Sequence, residues 1–482
     1  FPDEVKKINV QFCKESGVIS VENDGPLGGV SVEQHPTEKI YNPELTFGHL
    51  LTSTNYDDSK QRIVGGRNGY GAKLANIYST KFVIKIKDSK NKLSYTQIWE
   101  NNMTKCNKPT IREYNGEKSS IMIAFIPDWE KFKMQSMTSD FLKIIEKRVY
   151  DAVVCTSASC KVSFQNKQIK KMSLEQYAKM YLGDSVKVTS LNYDRWSVTI
   201  APSEHGFQQV SFVNGICTTK GGSHVDHVST QICNGVIENL GKKIKLKPQH
   251  VKNTFFVFVK STLVNPTFSS QVKSECTLKT SGFGSSFVCT QNFVKNVLKT
   301  GIQNEVLAFS KFQEQKELKK TDGSRKSKIT GIPKLDDANK AGTKNSGDCT
   351  LILTEGDSAK ALAIAGLTIV GRDYWGVFPL RGKCKNVRDA SVKQLTSNQE
   401  FSDIKKIVGL QQGKTYNSVS ELRYGRIMIM TDADHDGSHI KGLLLNMFDY
   451  FWPSLVDIGF LVSMVTPIIK ATKNKKEMSF FT

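Results

Sequence analysis

The sequence predicts a multidomain chain that combines α/β and α+β folds. Its 482 residues exceed what one hydrophobic core usually organises, so roughly two to four domains are expected. The composition is that of a globular protein, with 39% hydrophobic and 23% charged residues. Apolar runs typical of strands alternate with helical stretches along the chain, which indicates sheets combined with helices.

Two predicted units occupy the first 315 residues. Short apolar runs between turn-forming residues predict their strands, and one longer amphipathic run predicts a helix in the second unit. The predicted strands are Val18–Glu22, Ile121–Phe125, Trp196–Ile200, Phe207–Val213 and Phe255–Val259, and the predicted helix is Val225–Leu240.

A compact block is predicted near the C-terminal end. Thr350–Thr354 is an apolar strand, Ser358–Ala365 a helix and Arg426–Thr431 another apolar strand. This strand–turn–helix alternation predicts a parallel sheet. The preceding residues, 316–348, are rich in Lys, Gly, Ser and Asp, and they predict a basic linker or mobile segment.

The charge balance favours a polyanionic partner. The chain has 67 Lys and Arg against 46 Asp and Glu, a formal net charge of +21. Cations that meet phosphates release counterions, although the same excess can serve solubility alone. The ten cysteines include no C-x-x-C pair, which favours free thiols in a reducing compartment. No apolar run approaches the roughly 20 residues of a membrane helix, so no membrane partner is expected.

A glycine-dense segment, Gly65–Leu74, predicts a phosphate-binding loop. Closely spaced glycines let backbone N–H groups approach phosphates, and Lys73 adds positive charge. The segment is not a P-loop, because Gly71 is followed by Ala72, Lys73 and Leu74 rather than by Lys and a hydroxyl residue. It also lacks the third glycine of a dinucleotide fingerprint. A plain glycine loop stays the structural alternative.

Carboxylates follow both strands of the C-terminal block. Glu355 comes directly after the first strand, and Asp432, Asp434 and Asp436 come after the second. The carboxyl ends of parallel strands meet in one crevice, and clustered carboxylates favour a hard divalent cation such as Mg²⁺. An EF-hand would need Glu where Leu443 stands and a helix where a strand is predicted. A structural salt-bridge cluster is the remaining alternative.

The N-terminal motifs resemble type IIA DNA topoisomerases of the eukaryotic type. The resemblance covers Phe47–Ser79 and the run Glu22–Gly25, and it implies the ATP fold shared with gyrase, heat-shock chaperones, MutL and histidine kinases. Leu27 stands where the family has a second glycine, so the turn Pro26-Leu27-Gly28 is altered. The family's preceding helix, with its water-activating Glu and magnesium-binding Asn, is not in this sequence. The implied ATP-binding residues here are Asn23, Ser53, Thr54, Asn55, Gly66, Arg67, Asn68, Gly69, Tyr70, Gly71, Ala72 and Lys73.

The middle of the chain resembles the transducer domain of the same family. Asn265–Lys273 is similar to the loop that inserts a glutamine and a lysine into the ATP site, which implies nucleotide contacts for Gln271 and Lys273. Ser211–Val225 resembles another part of that domain. In the basic run that follows, the resemblance implies DNA contacts for Lys242 and Lys243, whereas alternating apolar residues would also fit a half-buried strand.

The C-terminal block resembles a TOPRIM domain. Pro379–Lys383 and Asp436–Leu443 narrow that resemblance to topoisomerase II. The resemblance implies metal binding by Glu355, Asp432, Asp434 and Asp436, with the first three assisting DNA cleavage. It also implies that Lys383, Asn386 and His439 lie against DNA.

The resemblance therefore implies three folds in order. They are a GHKL (Bergerat) ATPase α/β sandwich, a ribosomal-protein-like α+β transducer and a Rossmann-like TOPRIM domain. The predicted boundaries are residues 1–195 for the ATPase, 196–315 for the transducer, 316–348 for the linker, 349–465 for TOPRIM and 466–482 for the start of the cleavage core.

The implied activity is ATP-dependent passage of one DNA duplex through a break in another. The implied cofactors are ATP and Mg²⁺, and the implied partners are double-stranded DNA and a second copy of the chain. The nucleophilic tyrosine is expected outside this sequence. Two rival classes use only half of the motifs: an ATP-driven clamp or chaperone, and a metal-dependent nuclease or primase. The expected location is the nucleus, or a cytoplasmic viral factory for a virus-encoded protein.

Overall fold

The computed structural model describes residues 4–53, 55, 57, 60–241, 246–432, 434–465, 467, 469–473 and 476–481. The chain divides into two compact units, residues 1–307 and residues 308–482. The first contains two larger sheets, and the second contains a parallel sheet.

Nine strands form the first sheet in the described part of the N-terminal unit. Their order is β5-β4-β3-β7-β2-β1-β8-β9, with β6 paired to β4. In β3, Phe82, Ile84 and Ile86 are buried, whereas Val83 is half-buried and Lys85 exposed, the alternation of a sheet covered on one face. The strands are β1 Lys7–Cys13, β2 Val18–Asp24, β3 Ser79–Asp88, β4 Leu93–Glu100, β5 Lys105–Cys106, β6 Thr110–Glu113, β7 Ser120–Pro127, β8 Lys161–Phe164 and β9 Lys167–Gln168.

Helices accompany these strands along the chain, and the glycine segment begins one of them. The helices are α1 Asn42–Gly48, α2 Tyr70–Ile77, α3 Ser139–Cys155 and α4 Leu174–Leu182, of which α4 packs in a core with Phe256 and Phe258 rather than on this sheet. Gly69 precedes α2 with φ of 67°, a left-handed conformation that favours glycine. Buried Phe47 and Trp99, with their apolar neighbours, form the core between α1 and the sheet.

A five-stranded sheet follows, in the order β10-β11-β15-β12-β13 among the described residues. Val228, Ile232 and Val236 of helix α5 pack in the same core as Val257 and Val259. The strands are β10 Thr189–Tyr193, β11 Trp196–Pro202, β12 Gln208–Val213, β13 Ile216–Cys217, β14 Gly221–Gly222, β15 Phe255–Ser261 and β16 Glu275–Cys276, of which β14 and β16 pair separately. The helices are α5 Ser223–Leu240, α6 Pro248–Lys252, α7 Gln291–Val297 and α8 Gln303–Lys319, with a π-helical turn at Leu298–Ile302.

This second sheet begins before the boundary that the sequence suggested between residues 195 and 196. Strand β10 lies wholly before that boundary, yet it pairs antiparallel with β11, with Tyr193 opposite Trp196. The two strands form a hairpin, so a division there would separate hydrogen-bonded neighbours.

The C-terminal unit contains the predicted parallel sheet. Its described strands have the order β18-β17-β19-β20, with every pairing parallel. The strands are β17 Thr350–Glu355, β18 Trp375–Leu380, β19 Arg426–Met430 and β20 Leu461–Ser463, and a separate hairpin pairs β21 Ile469–Lys473 with β22 Lys476–Phe480. The helices are α9 Gly356–Val370, α10 Val392–Thr396, α11 Gln399–Val408, α12 His435–Phe451 and α13 Pro453–Asp457.

Part of the expected linker, residues 316–348, is packed into this unit. Leu318, Ala338 and Ala341 belong to its hydrophobic core. The buried Lys405 ammonium donates to the Leu318 carbonyl at 3.0 Å. The buried Arg423 guanidinium donates to Asp337 Oδ2 at 2.5 Å. Its many polar residues suggested a mobile segment, but buried cations elsewhere in the unit bind those polar groups.

Candidate functional site

The glycine segment and a distant loop face one cavity in the N-terminal unit. The cavity has a volume of about 490 Å³. Its lining consists of Gly65, Gly66, Arg67, Asn68, Gly69, Tyr70, Gly71, Pro266, Thr267, Phe268, Ser270, Gln271 and Lys273. The structure therefore brings together two segments that the sequence separates by about 200 residues, and both were predicted to contact the nucleotide.

Two other predicted nucleotide residues bind the backbone of the glycine segment. Ser53 Oγ donates to the Arg67 carbonyl at 2.5 Å, and Asn55 Nδ2 donates to the Gly66 carbonyl at 2.9 Å. The Lys73 side chain is buried, and its ammonium donates to Thr52 Oγ1 at 2.6 Å. Burial lowers the pKa of Lys73. These residues and Ala72 are not among the described lining residues, and predicted Thr54 lies outside the described residues.

Asn23 lies at a different position on the sheet. It belongs to β2 opposite Ile121 of β7, and its Nδ2 donates to the Asp24 carbonyl at 3.0 Å. It is also not among the described lining residues of the cavity. The altered turn after Gly25 has a structural explanation, because Leu27 packs against the core of the first sheet.

Lys273 occupies a constrained position in its loop. Its φ is 57°, and its backbone N–H donates to the Ser270 carbonyl at 3.0 Å. The side chain is half-buried, and burial lowers the pKa of its ammonium. An ammonium on the wall of a polar cavity is a point charge suited to a phosphate.

The C-terminal unit positions its carboxylates by sheet topology. Glu355 ends β17, and Asp432 follows the neighbouring parallel strand β19 by two residues. Asp434 caps α12, because its Oδ1 accepts from the Gly437 N–H at 2.7 Å. A Cβ at Gly437 would collide with the Asp432 carbonyl, so the turn requires glycine. The two strand ends therefore bring these acidic groups to one edge of the sheet, as predicted.

The carboxylates at this edge of the sheet repel one another. Burial raises the pKa of the Glu355 carboxyl, and Asp434, Asp432 and Asp436 raise it further. Glu355 Oε2 is buried without a hydrogen-bond partner among the described residues. Asp436 pairs instead with Lys383 Nζ at 2.9 Å, which lowers the pKa of its carboxyl.

The residues at this edge fit a hard, hydrated cation better than a closed protein cage. Among the described residues, no group of three or more His, Cys, Asp or Glu side chains is arranged to hold a metal ion. Mg²⁺ usually takes one or two carboxylates and completes its octahedron with water and phosphate. The unpartnered Glu355 oxygen among other carboxylates supplies such an all-oxygen donor set.

Two of the predicted DNA-contacting residues of this unit, Lys383 and His439, lie near Asp436. His439 is exposed on α12 and lowers the pKa of Asp436 together with Lys383. Asn386 Oδ1 accepts from Asn446 Nδ2 at 2.8 Å. Predicted Lys242 and Lys243 lie outside the described residues.

Arg388 is a residue that the sequence reasoning missed. Its Nε donates to Asn446 Oδ1 at 2.6 Å, and its Nη2 pairs with Asp449 at 2.7 Å. Its guanidinium also lies 5.3 Å from the ring centroid of Tyr450. These contacts fasten the loop of Asn386 to α12, and the only sequence signal was the proximity of Arg388 to that loop.

No helix among the described residues is both long and apolar enough to cross a membrane.

Comparison with known proteins decides the family. A model described as DNA gyrase B matches residues 140–325, and a model described as Toprim domain matches residues 350–460. The crystal structure of the ATPase region of Saccharomyces cerevisiae topoisomerase II is 37% identical with a TM-score of 0.60, and the match covers 64% of this chain and 80% of that one. The chain belongs to the type II DNA topoisomerase family. Its predicted fold class is thereby confirmed.

Two full-length relatives match almost the whole chain, and a second solved structure matches part of it. DNA topoisomerase 2 of Arabidopsis thaliana is 47% identical over 494 residues, covering 99% of this chain and 33% of the relative. DNA topoisomerase 2-beta of Homo sapiens is 48% identical, covering 98% of this chain and 30% of the relative. The ATPase and transducer domains of the Balamuthia mandrillaris enzyme are 31% identical with a TM-score of 0.61, covering 64% of this chain and 81% of that one. The chain spans about a third of the curated relatives' length.

Proposed function

We propose that this chain is the nucleotide-binding, transducing and metal-binding part of an ATP-dependent type II DNA topoisomerase. One observation supports this most strongly: the same chain combines a cavity shared by a glycine loop and a lysine-bearing loop with a cluster of carboxylates at parallel strand ends. A clamp or chaperone would use only the cavity, and a nuclease or primase only the carboxylates.

ATP is the proposed occupant of the cavity. The backbone N–H groups of the glycine segment suit phosphate oxygens, and Lys273 on the opposite loop suits the terminal phosphate. Loss of that phosphate on hydrolysis would remove the charge that attracts Lys273. The loop would then be released, which couples the nucleotide state to the five-stranded sheet that precedes it in the chain.

Mg²⁺ is the proposed cation at the strand ends. Glu355, Asp432 and Asp434 would hold it, with Asp436 supporting a second position. When bound, the cation stabilises negative charge on a scissile phosphate and its leaving oxygen. Lys383 pairs with Asp436 at 2.9 Å, so this ammonium lies beside the carboxylates.

Double-stranded DNA and a second copy of the chain are the proposed partners. Lys383, Asn386 and His439 would contact the cleaved duplex, and Lys242 and Lys243 the transported one. The net charge of +21 supports binding to a polyanion. The nucleophilic tyrosine is proposed to lie elsewhere in the longer protein. The nucleus, or a viral factory for a virus-encoded protein, stays the predicted location.

Decatenation by the full-length enzyme tests this function. Interlinked, intact DNA circles separate only when one duplex passes through another. We expect separation that requires both ATP and Mg²⁺, with circles recovered intact. ATP hydrolysis without any DNA cleavage would favour the clamp class. Cleavage that is indifferent to ATP, with no separation of intact circles, would favour the nuclease class.

A further inference from the structure

The loop that contains Lys273 is fastened at both ends. We call residues 264–278, which include Lys273, the sensor loop. Near its end, Gly222 lies opposite Cys276 in a parallel pair, and Ser223 Oγ donates to the Leu278 carbonyl at 2.6 Å. A Cβ at Gly222 would collide with the Cys276 backbone. This end is therefore tied to the start of α5, inside the second sheet region.

The beginning of the sensor loop is tied to a different part of the unit. Asn265 Oδ1 accepts from the Arg62 N–H at 2.9 Å, and the Asn265 N–H donates to the Arg62 carbonyl at 2.8 Å. Arg62 belongs to the lid segment, residues 60–69, which contains the first part of the glycine loop. The side chain and the backbone of Asn265 thus form two hydrogen bonds with the backbone of Arg62. These bonds join the lid segment to the sensor loop, much as a pair of bonds joins two antiparallel strands.

A second contact joins the lid segment to the five-stranded sheet. A Cβ at Gly65 would collide with the Ile216 side chain, so the two residues are in close contact. Asn214, just before Ile216, binds the backbone of Leu263 with both ends of its amide: Oδ1 accepts at 2.7 Å and Nδ2 donates at 2.9 Å. Leu263 immediately precedes the sensor loop, so these contacts fix where that loop begins.

We propose that Asn265 is a positioning residue that preassembles the nucleotide cavity by joining the lid segment to the sensor loop. The inference rests on the proposed nucleotide function. Ordering two separate loops around a ligand costs conformational entropy, and a link that already joins them lowers that cost before the ligand arrives. Nucleotide affinity should therefore depend on a side chain that is not among the described lining residues.

The position of the link predicts a signature different from that of Lys273. Lys273 lines the cavity and is proposed to contact the terminal phosphate, so its loss should weaken a triphosphate more than a diphosphate. Asn265 joins the two loops to each other, so its loss should weaken both nucleotides by the same factor. The ratio of the two affinities thus separates a positioning role from phosphate contact.

The experiment measures dissociation constants of the full chain for ADP and for a non-hydrolysable ATP analogue. Asn265 has φ of 45°, so Asn265→Gly removes the acceptor without backbone strain, and Asn265→Asp keeps an acceptor. We expect Asn265→Gly to weaken both nucleotides about 5-fold, the effect of one hydrogen bond, and Asn265→Asp to stay within about 2-fold of the parent. Arg62→Pro, which removes the N–H donor, should repeat the glycine result.

Asn166→Gly is the matched control. Asn166 also has a left-handed φ, of 61°, and its Oδ1 also accepts hydrogen bonds, from Asn9 Nδ2 at 3.2 Å and Gln11 Nε2 at 2.5 Å, but none of these residues is in the lid segment, the sensor loop or the described lining of the cavity. It should leave both dissociation constants unchanged. Unchanged binding by both Asn265→Gly and Arg62→Pro would overturn the inference, as would a loss confined to the triphosphate. A parent chain that binds neither nucleotide would instead refute the proposed function.

Discussion

The two candidate sites of this chain are built in different ways. The nucleotide cavity lies between two loops, which are held by side chains that bind backbone carbonyls and amides, such as Asn55 to Gly66 and Asn265 to Arg62. The carboxylate cluster lies at the ends of adjacent parallel strands, where β17 and β19 place Glu355 and Asp432 by their pairing. One site depends on individual hydrogen bonds, and the other depends on the sheet.

This difference predicts how each site responds to a substitution. At the carboxylate cluster, the strands position the acidic groups, so a substitution should remove chemistry and leave the geometry of its neighbours. At the cavity, a substitution in a bracing residue should change the shape of the site itself. The following changes test that distinction, beginning with the largest expected effect.

Asp432→Ala in the full-length enzyme should reduce Mg²⁺-dependent DNA cleavage by about 1,000-fold, because a proposed ligand at the scissile phosphate is lost. Nucleotide binding should not change, since the cavity is in the other unit. Cleavage is measured as linear product from supercoiled circles. The exposed Asp457→Ala is the matched control and should cleave normally. Normal cleavage by Asp432→Ala would contradict the metal assignment.

Lys405→Met should destabilise the C-terminal unit by about 3 kcal/mol, because it leaves a buried ion pair without its cation. The Lys405 ammonium donates to Thr321 Oγ1 at 2.9 Å and to Asp322 Oδ1 at 2.8 Å, and its side chain is fully buried. Denaturant titration gives the free energy of unfolding. The control is Lys406→Met, at the adjacent exposed lysine. Equal free energies of unfolding for the two variants would show that the buried ion pair does not stabilise the C-terminal unit.

Lys273→Ala should reduce ATP-dependent strand passage about 10- to 100-fold, the loss of a hydrogen bond to a charged phosphate. Cleavage in the absence of ATP should be nearly unaffected. Decatenation and ATP-free cleavage are measured side by side, with exposed Lys279→Ala as the control. If both activities of Lys273→Ala fell together, Lys273 would not act through the nucleotide.

His224 should make the N-terminal unit sensitive to acid. Its side chain is buried with Nδ1 unpartnered among the described residues, and burial lowers its pKa from 6.5 to about 3. Below pH 6.5, His224 binds a proton in the unfolded chain but stays neutral in the folded chain. The free energy of unfolding should therefore fall by at most about 1.4 kcal/mol per pH unit as the pH decreases from there toward the folded pKa.

Urea titrations of the parent chain between about pH 7 and pH 5 measure this slope. His224→Gln should remove most of it, whereas the exposed His205→Gln should leave it intact. A His224→Gln variant that loses stability with acid as steeply as the parent would exclude His224 as the source.

Much of the C-terminal fold was predictable because its signal is local. Apolar runs ending in Glu355 and just before Asp432 identify buried parallel strands, and the carboxyl ends of such strands share one edge. The packing of residues 316–348 was not predictable in this way. Its polar residues resemble those of a linker until buried Lys405 and Arg423, far along the chain, supply their partners.

The nucleotide cavity shows the same limit. The sequence predicted nucleotide contacts for residues in two segments, Gly65–Lys73 and Gln271–Lys273. Most of these residues line the cavity. Ser53, Asn55 and Lys73, however, brace the loop through its carbonyls and through Thr52. A residue type near a glycine loop indicates a polar role, but only the fold decides whether that role faces the ligand or the backbone.

The sequence by itself determined the family, the order of the folds and the chemical types at both sites. Those properties depend on residue identity and on short spacings, which the chain keeps whether folded or unfolded. Tertiary structure alone decided the link from Asn265 to Arg62 and the use of Ser53 and Asn55 to bind the backbone of the glycine segment. Such contacts depend on long-range chain closure, whose outcome is set by the packing of whole sheets rather than by any local pattern.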